Sequence, residues 1–450
     1  MHHKNIYSED LPREISKSTE EHHIYHEWYL NGRAGGPPGY LANLLYGYNQ
    51  IPHYDKPYII FDSLHGKPPA PATGNPGPLS KLVRNLAGLF PGGKEYYNAH
   101  LSRSLKISYE NMYNFLSDLD NMMPMPSLIE TIDWSRTKAV HVHTVAEAVK
   151  IKNYLRKHFL DDVKVILTCH TPETCANEQY NLALAEGQSE ERAQALKELW
   201  FKLEMRAYRE VDVMIFPSKE ATEPLVNAVE GFQELLDSKD VRYMATGCKR
   251  LSSALTKEQA KEKYNVSGKT VIGYIGRHNA VKGYDLLKEA AKIVLAKTND
   301  VVFLIGGAQG KDFGPLDNPN WIEAGWVNPA DLLQSLDVFV LPNRQTYYDL
   351  VLLEVLSMGV PVVATATGGN KSVQQIANDL ELCGVSAESL AEHILKLVEM
   401  KDEDRLAKGQ RLQDTYLNYF TESHMAQRYV DTICQIYDDL DLWNKEDNEA

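Results

Sequence analysis

Three groups of residues in this sequence have the types and spacing to handle a phosphorylated ligand. The first is Gly276-Arg277 with Lys282, in the run KTVIGYIGRHNAVKG. An apolar stretch ends in Gly-Arg, and a second cation follows five residues later. A guanidinium offers two N–H groups to a phosphate and an ammonium acts as a point charge, so a loop carrying both suits a diphosphate. The same charges would stabilise a departing diphosphate without a metal. In isolation the ordinary reading, a solvated basic loop, is the better one. The second group lies in LPNRQTYYDLVLLEVLSMGVPVVATATGGNK, from Leu341 to Lys371. It reads as a strand end, a polar turn, a short helix from Leu350 to Met358 closed by Gly359, and a second strand. The first N–H groups of a helix have no partner within it and face the positive end of its dipole, so the turn Thr346, Tyr347, Asp349, Leu350 suits an anion. Glu354 sits alone in the apolar helical run, where burying an unpaired carboxylate is costly. The adjacent hydroxyls of a ribose would satisfy it, and so would a structural ion pair. The expected ligand is a sugar nucleotide.

The third group is dispersed. His170 follows the apolar run VKVILTC, where an imidazole could meet a hydroxyl or phosphate or simply pack. Ser218 ends VMIFP and either caps a helix or faces a cleft. Gly36 lies in NGRAGGPPG, between a strand-like and a helical run, an arrangement that brings backbone close to a ligand. His141 and His143 share one face of a strand and read as structural. Asp118-Leu-Asp120 and Asp439-Leu-Asp441 lie in helical, acidic surroundings. The five cysteines show no zinc spacing. No metal site is expected.

These residues must be held by a repeated framework. Strand-like runs occur at 23–30, 57–62, 139–144, 163–169, 211–217 and 242–245, with helical stretches between them. The pattern restarts at 269–277 and continues at 301–306, 321–324, 338–341 and 362–367. Most are continuous apolar runs, as in parallel sheets covered on both faces. The reading is α/β, with two Rossmann-like doubly wound domains and ligands in a cleft at the carboxyl ends of the strands. The 450 residues exceed one ordinary core. The domains are read as 1–248 and 249–420, with 421–450 a long amphipathic helix and an acidic tail. A content of 43% hydrophobic and 24% charged residues fits a globular protein. A net charge of −14 argues against a general nucleic-acid binder. No apolar run spans a bilayer and no secretory leader is read, so a cytoplasmic protein is expected. Leu79 to Phe90, amphipathic with Lys81 and Arg84, could touch the inner face of a membrane weakly; packing on its own domain is the better reading.

Taken together, the chain resembles the GT-B-fold retaining glycosyltransferases of family 4 (glycosyl transferases group 1). The resemblance rests on GGPPGYL, VHVHT, LTCHTPE, VDVMIFPSKEA, GRHNAVKG, AGWV and LLEVLSMGVPVVATATGG, in the family's order. It implies a GT-B fold whose last helix crosses back to the first domain. It implies transfer of a sugar, with retention, from a UDP- or GDP-linked donor to a glycan or lipid-linked hydroxyl acceptor, with neither cofactor nor metal, in polysaccharide synthesis. Arg277 and Lys282 would bind the diphosphate and Glu354 the ribose. His170 would lie near the transferred sugar and Gly36 near diphosphate and acceptor. Gly276, Ser218 and the Thr346–Leu350 turn would complete the donor site. The sequence departs from the family at Thr346, where a glutamate is usual, and at Tyr347-Tyr348-Asp349 after it. Asp349 could restore the carboxylate, but Thr346-x-x-Asp349 has capping-box spacing, and a cap is the preferred reading of Asp349. Two alternatives stand: a non-catalytic GT-B-like subunit that binds a glycan or partner, and a nucleotide-sugar epimerase on the same fold.

Overall fold

The computed structural model describes residues 20–30, 36–51, 57–64, 103–307 and 313–443. The stretch 79–90, read as amphipathic, and the acidic tail lie outside the described residues. Two parallel sheets organise the chain. The first contains β1 (Glu21–Tyr29), β2 (Tyr58–Leu64), β3 (Thr137–Val142), β4 (Lys164–Leu167), β5 (Val213–Phe216) and β6 (Asp240–Tyr243), in the order β2-β1-β3-β4-β5-β6. The second contains β7 (Thr270–Ile275), β8 (Val301–Gly306), β9 (Trp321–Gly325), β10 (Val338–Leu341), β11 (Val362–Thr365) and β12 (Glu381–Cys383), in the order β12-β11-β10-β7-β8-β9. The central strands VMIF, VFVL and VVAT are buried along their whole length. Such runs can be buried on both faces only if helices cover both, which gives two doubly wound layers in the GT-B arrangement.

Strand order reverses between β1 and β3 in the first sheet and between β7 and β10 in the second. At such a point the loops leave toward opposite faces and open a crevice at the carboxyl ends. The loops after β1 and β3 lead to Gly36 and His143. Those after β7 and β10 lead to Arg277 and Asn343. The topology therefore fixes where chemistry can occur before any side chain is considered.

The closing helix, Glu422–Asp439, follows a π-helical turn at Tyr416–Phe420 and is capped by the Thr421 side chain, which accepts from the His424 N–H. It returns to the first domain and packs on the first helix, Gly36–Tyr48. A Cβ at Gly47 would lie 2.0 Å from the Glu422 carbonyl oxygen, so only glycine permits this approach. The Tyr429 hydroxyl sits between His22 Nε2 at 2.9 Å and His141 Nδ1 at 2.8 Å, anchoring the helix under β1 and β3. Two features differ from the sequence reading. The first helix begins at Gly36, ahead of the apolar run from Tyr40. Strand β12 is additional; its three residues carry too few apolar side chains to announce it.

Candidate functional site

The second sheet supplies one wall of the cleft. Gly276 follows β7 with its N–H on the Gly306 carbonyl at 3.1 Å, and the Tyr274 hydroxyl donates to the Arg277 carbonyl at 2.8 Å. Arg277 is exposed, and among the described residues its guanidinium has no partner. Asn279 folds the loop back by accepting the Lys282 N–H at 2.8 Å. Gly283 follows with φ 66°, and a Cβ there would lie 1.9 Å from the Pro342 carbonyl oxygen. That contact presses the loop after β7 onto the end of β10, across the switch point. It brings Lys282 to Asp349: the ammonium lies 2.8 and 2.7 Å from the two carboxylate oxygens.

The capping reading of Asp349 is corrected by this arrangement. Asp349 does occupy the N-cap of the helix Leu350–Met358, but its side chain makes no capping bond. It takes Lys282 and the Asn343 amide instead. A charge-assisted pair outcompetes a neutral backbone donor for one carboxylate. Thr346 does not cap either. It is buried, with Oγ1 3.1 Å from both Asn343 Nδ2 and Thr367 Oγ1. One turn into the helix, Glu354 has no side-chain hydrogen bond among the described residues. Burial, and secondarily the charge of Asp349, push its carboxyl up to about 7. It is a half-buried acceptor pair whose lone pairs are unused among the described residues.

The first sheet supplies the opposite wall. His170, after β4, bonds through Nε2 to His143 Nδ1 at 3.0 Å. Burial pulls the His170 imidazole down to about 3, so it is neutral at physiological pH. Its ring lies 4.5 Å from Tyr40 of the first helix and 6.1 Å from Tyr347 of the second domain. Further along, Ser372 Oγ donates to Ser218 Oγ at 2.8 Å, and Glu223 accepts from the Gly368 N–H at 3.2 Å and from Lys371.

The sequence-predicted residues thus fall into four sets. Gly276, Arg277, Lys282, Asp349, Leu350 and Glu354 gather at the second switch point. His170 and Tyr347 meet across the cleft. Ser218 precedes the N-cap of the short 3-10 turn after β5, which is Lys219; its Oγ accepts from the Ala221 N–H at 3.2 Å and from Ser372 across the cleft. Gly36 opens the first helix, exposed and with φ 66°. Sequence reasoning missed Asn343, which organises Thr346 and Asp349, and Glu223 and Lys371, which join the walls. His143, read as structural, also fixes His170. The alternating HVH pattern was the available signal for that role; Asn343 and Glu223 gave none.

Residues 269–400 match the family model described as "Glycosyl transferases group 1". That stretch is similar to the group 1 glycosyltransferases, and the chain as a whole has the GT-B fold. The GT-B chain is 28% identical over 197 residues to an uncharacterized 41.2 kDa protein in the cps region of Klebsiella pneumoniae, covering 42% of this chain and 50% of that protein. It is 26% identical over 178 residues to the D-inositol 3-phosphate glycosyltransferase of Corynebacterium urealyticum, covering 35% and 41%. The matches therefore span half or less of these relatives' length. Sucrose-phosphate synthase from Thermosynechococcus elongatus shares the fold with a TM-score of 0.58 at 15% identity, over 93% of this chain and 100% of that one. HepE from Anabaena, solved in complex with UDP-glucose, shares it with a TM-score of 0.55 at 13% identity, over 92% and 99%. Among the described residues of the GT-B chain, no helix is long and apolar enough to cross a membrane. Among the same residues, no three His, Cys, Asp or Glu side chains are grouped as metal ligands.

Proposed function

We propose that this GT-B chain transfers a sugar, with retention at the anomeric carbon, from a UDP- or GDP-linked donor to a hydroxyl acceptor. The observation that carries the reading is the convergence of three groups on the second switch point: the guanidinium of Arg277 and the half-buried carboxyl of Glu354, neither with a side-chain partner among the described residues, and the ammonium of Lys282. Arg277 and Lys282 hold the diphosphate. Ionised Glu354 accepts from the two ribose hydroxyls. The bond from the anomeric carbon to the diphosphate oxygen breaks with its electron pair going to the diphosphate, whose charge the two cations offset. That oxygen then takes the proton of the acceptor hydroxyl, which attacks on the same face. Neutral His170 bonds a hydroxyl of the transferred sugar. Closure of the walls excludes water, which limits hydrolysis. No step requires a metal or a cofactor. The acceptor is a glycan or a lipid-linked glycan, handled in the cytoplasm or at the inner face of a membrane for polysaccharide synthesis. That some relatives are named for glycosyl transfer to inositol phosphate or for capsular polysaccharide synthesis supports the reading.

The test is a panel of nucleotide-sugars, scored by thermal unfolding and then by product. Native-state ligands raise the unfolding temperature, so one UDP- or GDP-sugar is expected to do so and to yield a new glycosidic bond with an acceptor. A panel with no stabilising member would sink the reading. A second reading, a non-catalytic subunit on the same fold, is favoured by Thr346 in the glutamate position and by Asp349 on Lys282. Donor binding without any glycosidic product would select it.

A further inference from the structure

We propose that Asp349 is an internal stand-in for the donor diphosphate, holding Lys282 and giving it up when the nucleotide binds. The inference rests on the functional reading above. Both Asp349 oxygens lie on the Lys282 ammonium, at 2.8 and 2.7 Å, and Asn343 donates to one of them as well. A carboxylate therefore fills the place of an anion between two donors, in a crevice where a diphosphate would need the same ammonium. Asp349 is not fixed there by the helix it starts. It has N-cap backbone, φ −80° and ψ 115°, yet its side chain leaves the cap empty. The Leu352 N–H already donates to the Asp349 carbonyl at 3.1 Å, but among the described residues the Val351 N–H of that first turn has no acceptor, and it lies within reach of a side-chain rotation. Asp349 thus has two positions. One is the ion pair with Lys282. The other is the cap, which it takes when a diphosphate with greater charge claims the ammonium. The spacing Thr346-x-x-Asp349 suggested a cap, and the structure shows an ion pair; the proposal makes them the two alternative positions of one side chain.

An internal competitor lowers apparent affinity by the fraction of molecules in which the binding group is free. Removing the charge while keeping a capping group isolates that effect, and Asp349→Asn does so. In titration calorimetry with UDP and with GDP, D349N is expected to bind whichever nucleotide the wild type binds roughly tenfold more tightly. In a Lys282→Met background the same substitution should give no gain, a dependence that a merely structural role for Asp349 would not produce. Unfolding temperatures without nucleotide establish that each variant is folded. Unchanged or weakened binding by folded D349N overturns the inference and leaves the nucleotide-sugar reading intact; so does an equal gain in the Lys282→Met background. Failure of wild type and D349N alike to bind either nucleotide overturns both.

Discussion

Glu354 shows how a single side chain trades stability for binding. Its carboxyl is raised from an ordinary 4.5 to about 7, mainly by burial. Between those values the folded state holds a proton that the unfolded state has released, so stability falls as pH rises through this window. Glu354→Gln removes the penalty. It is expected to be more stable than the wild type above pH 7, by about 1–3 kcal/mol, and equal to it near pH 4, as read by urea unfolding at the two pH values. Nucleotide binding has the opposite sign. Ribose hydroxyls favour the ionised form, so affinity should rise from pH 6 to 8 in the wild type and stay flat in the glutamine variant. Arg277 is the complementary case, exposed and without a partner among the described residues, so its loss should cost little stability. Arg277→Ala is expected to lower kcat/KM about a hundredfold with under about 0.5 kcal/mol lost in unfolding. Arg277 and Glu354 were legible in the sequence as a cation at a strand end and a carboxylate in an apolar helix. Asn343 was not, because a buried amide is recognised only by what surrounds it.

At the scale of elements, the closing helix is held by shape as much as by bonds. Gly47 lets it approach the first helix to a distance at which any Cβ would collide with the Glu422 carbonyl. Gly47→Ala must push the helices apart and is expected to destabilise by about 2–4 kcal/mol in chemical denaturation. Tyr429→Phe leaves His22 Nε2 and His141 Nδ1 buried without the hydroxyl they share, at a cost of about 1–3 kcal/mol in the same measurement. The helix itself was readable from its amphipathic period. Its seat was not, because the histidines that receive it lie 407 and 288 residues earlier in the chain. Strands were readable where both faces are apolar, as in β10. Strand β12 escaped because an edge strand of three residues needs no such run.

Across the whole molecule, the two walls meet through Glu223, Gly368, Lys371, Ser218 and Ser372. The Glu223–Lys371 pair is about a third exposed on both sides, so it adds under about 1 kcal/mol. Its effect lies in the relation of the domains. Glu223→Ala is expected to leave the unfolding temperature within a degree or two while increasing the radius of gyration of the nucleotide-free protein in X-ray scattering. Saturating nucleotide should reduce that difference, since binding across the cleft restores closure.

The sequence by itself determined the two-sheet architecture and the cations and carboxylate of the second domain. Those follow from local facts: apolar runs of strand length, glycine at turns, and charges at strand ends. Only the tertiary structure decided what those charges do before a ligand arrives. Lys282 and Asp349 are 67 residues apart. They meet because β7 and β10 are neighbours at the point where strand order reverses. That pairing turned an expected cap into an ion pair, since a carboxylate beside an ammonium takes the charge-assisted bond before the backbone one.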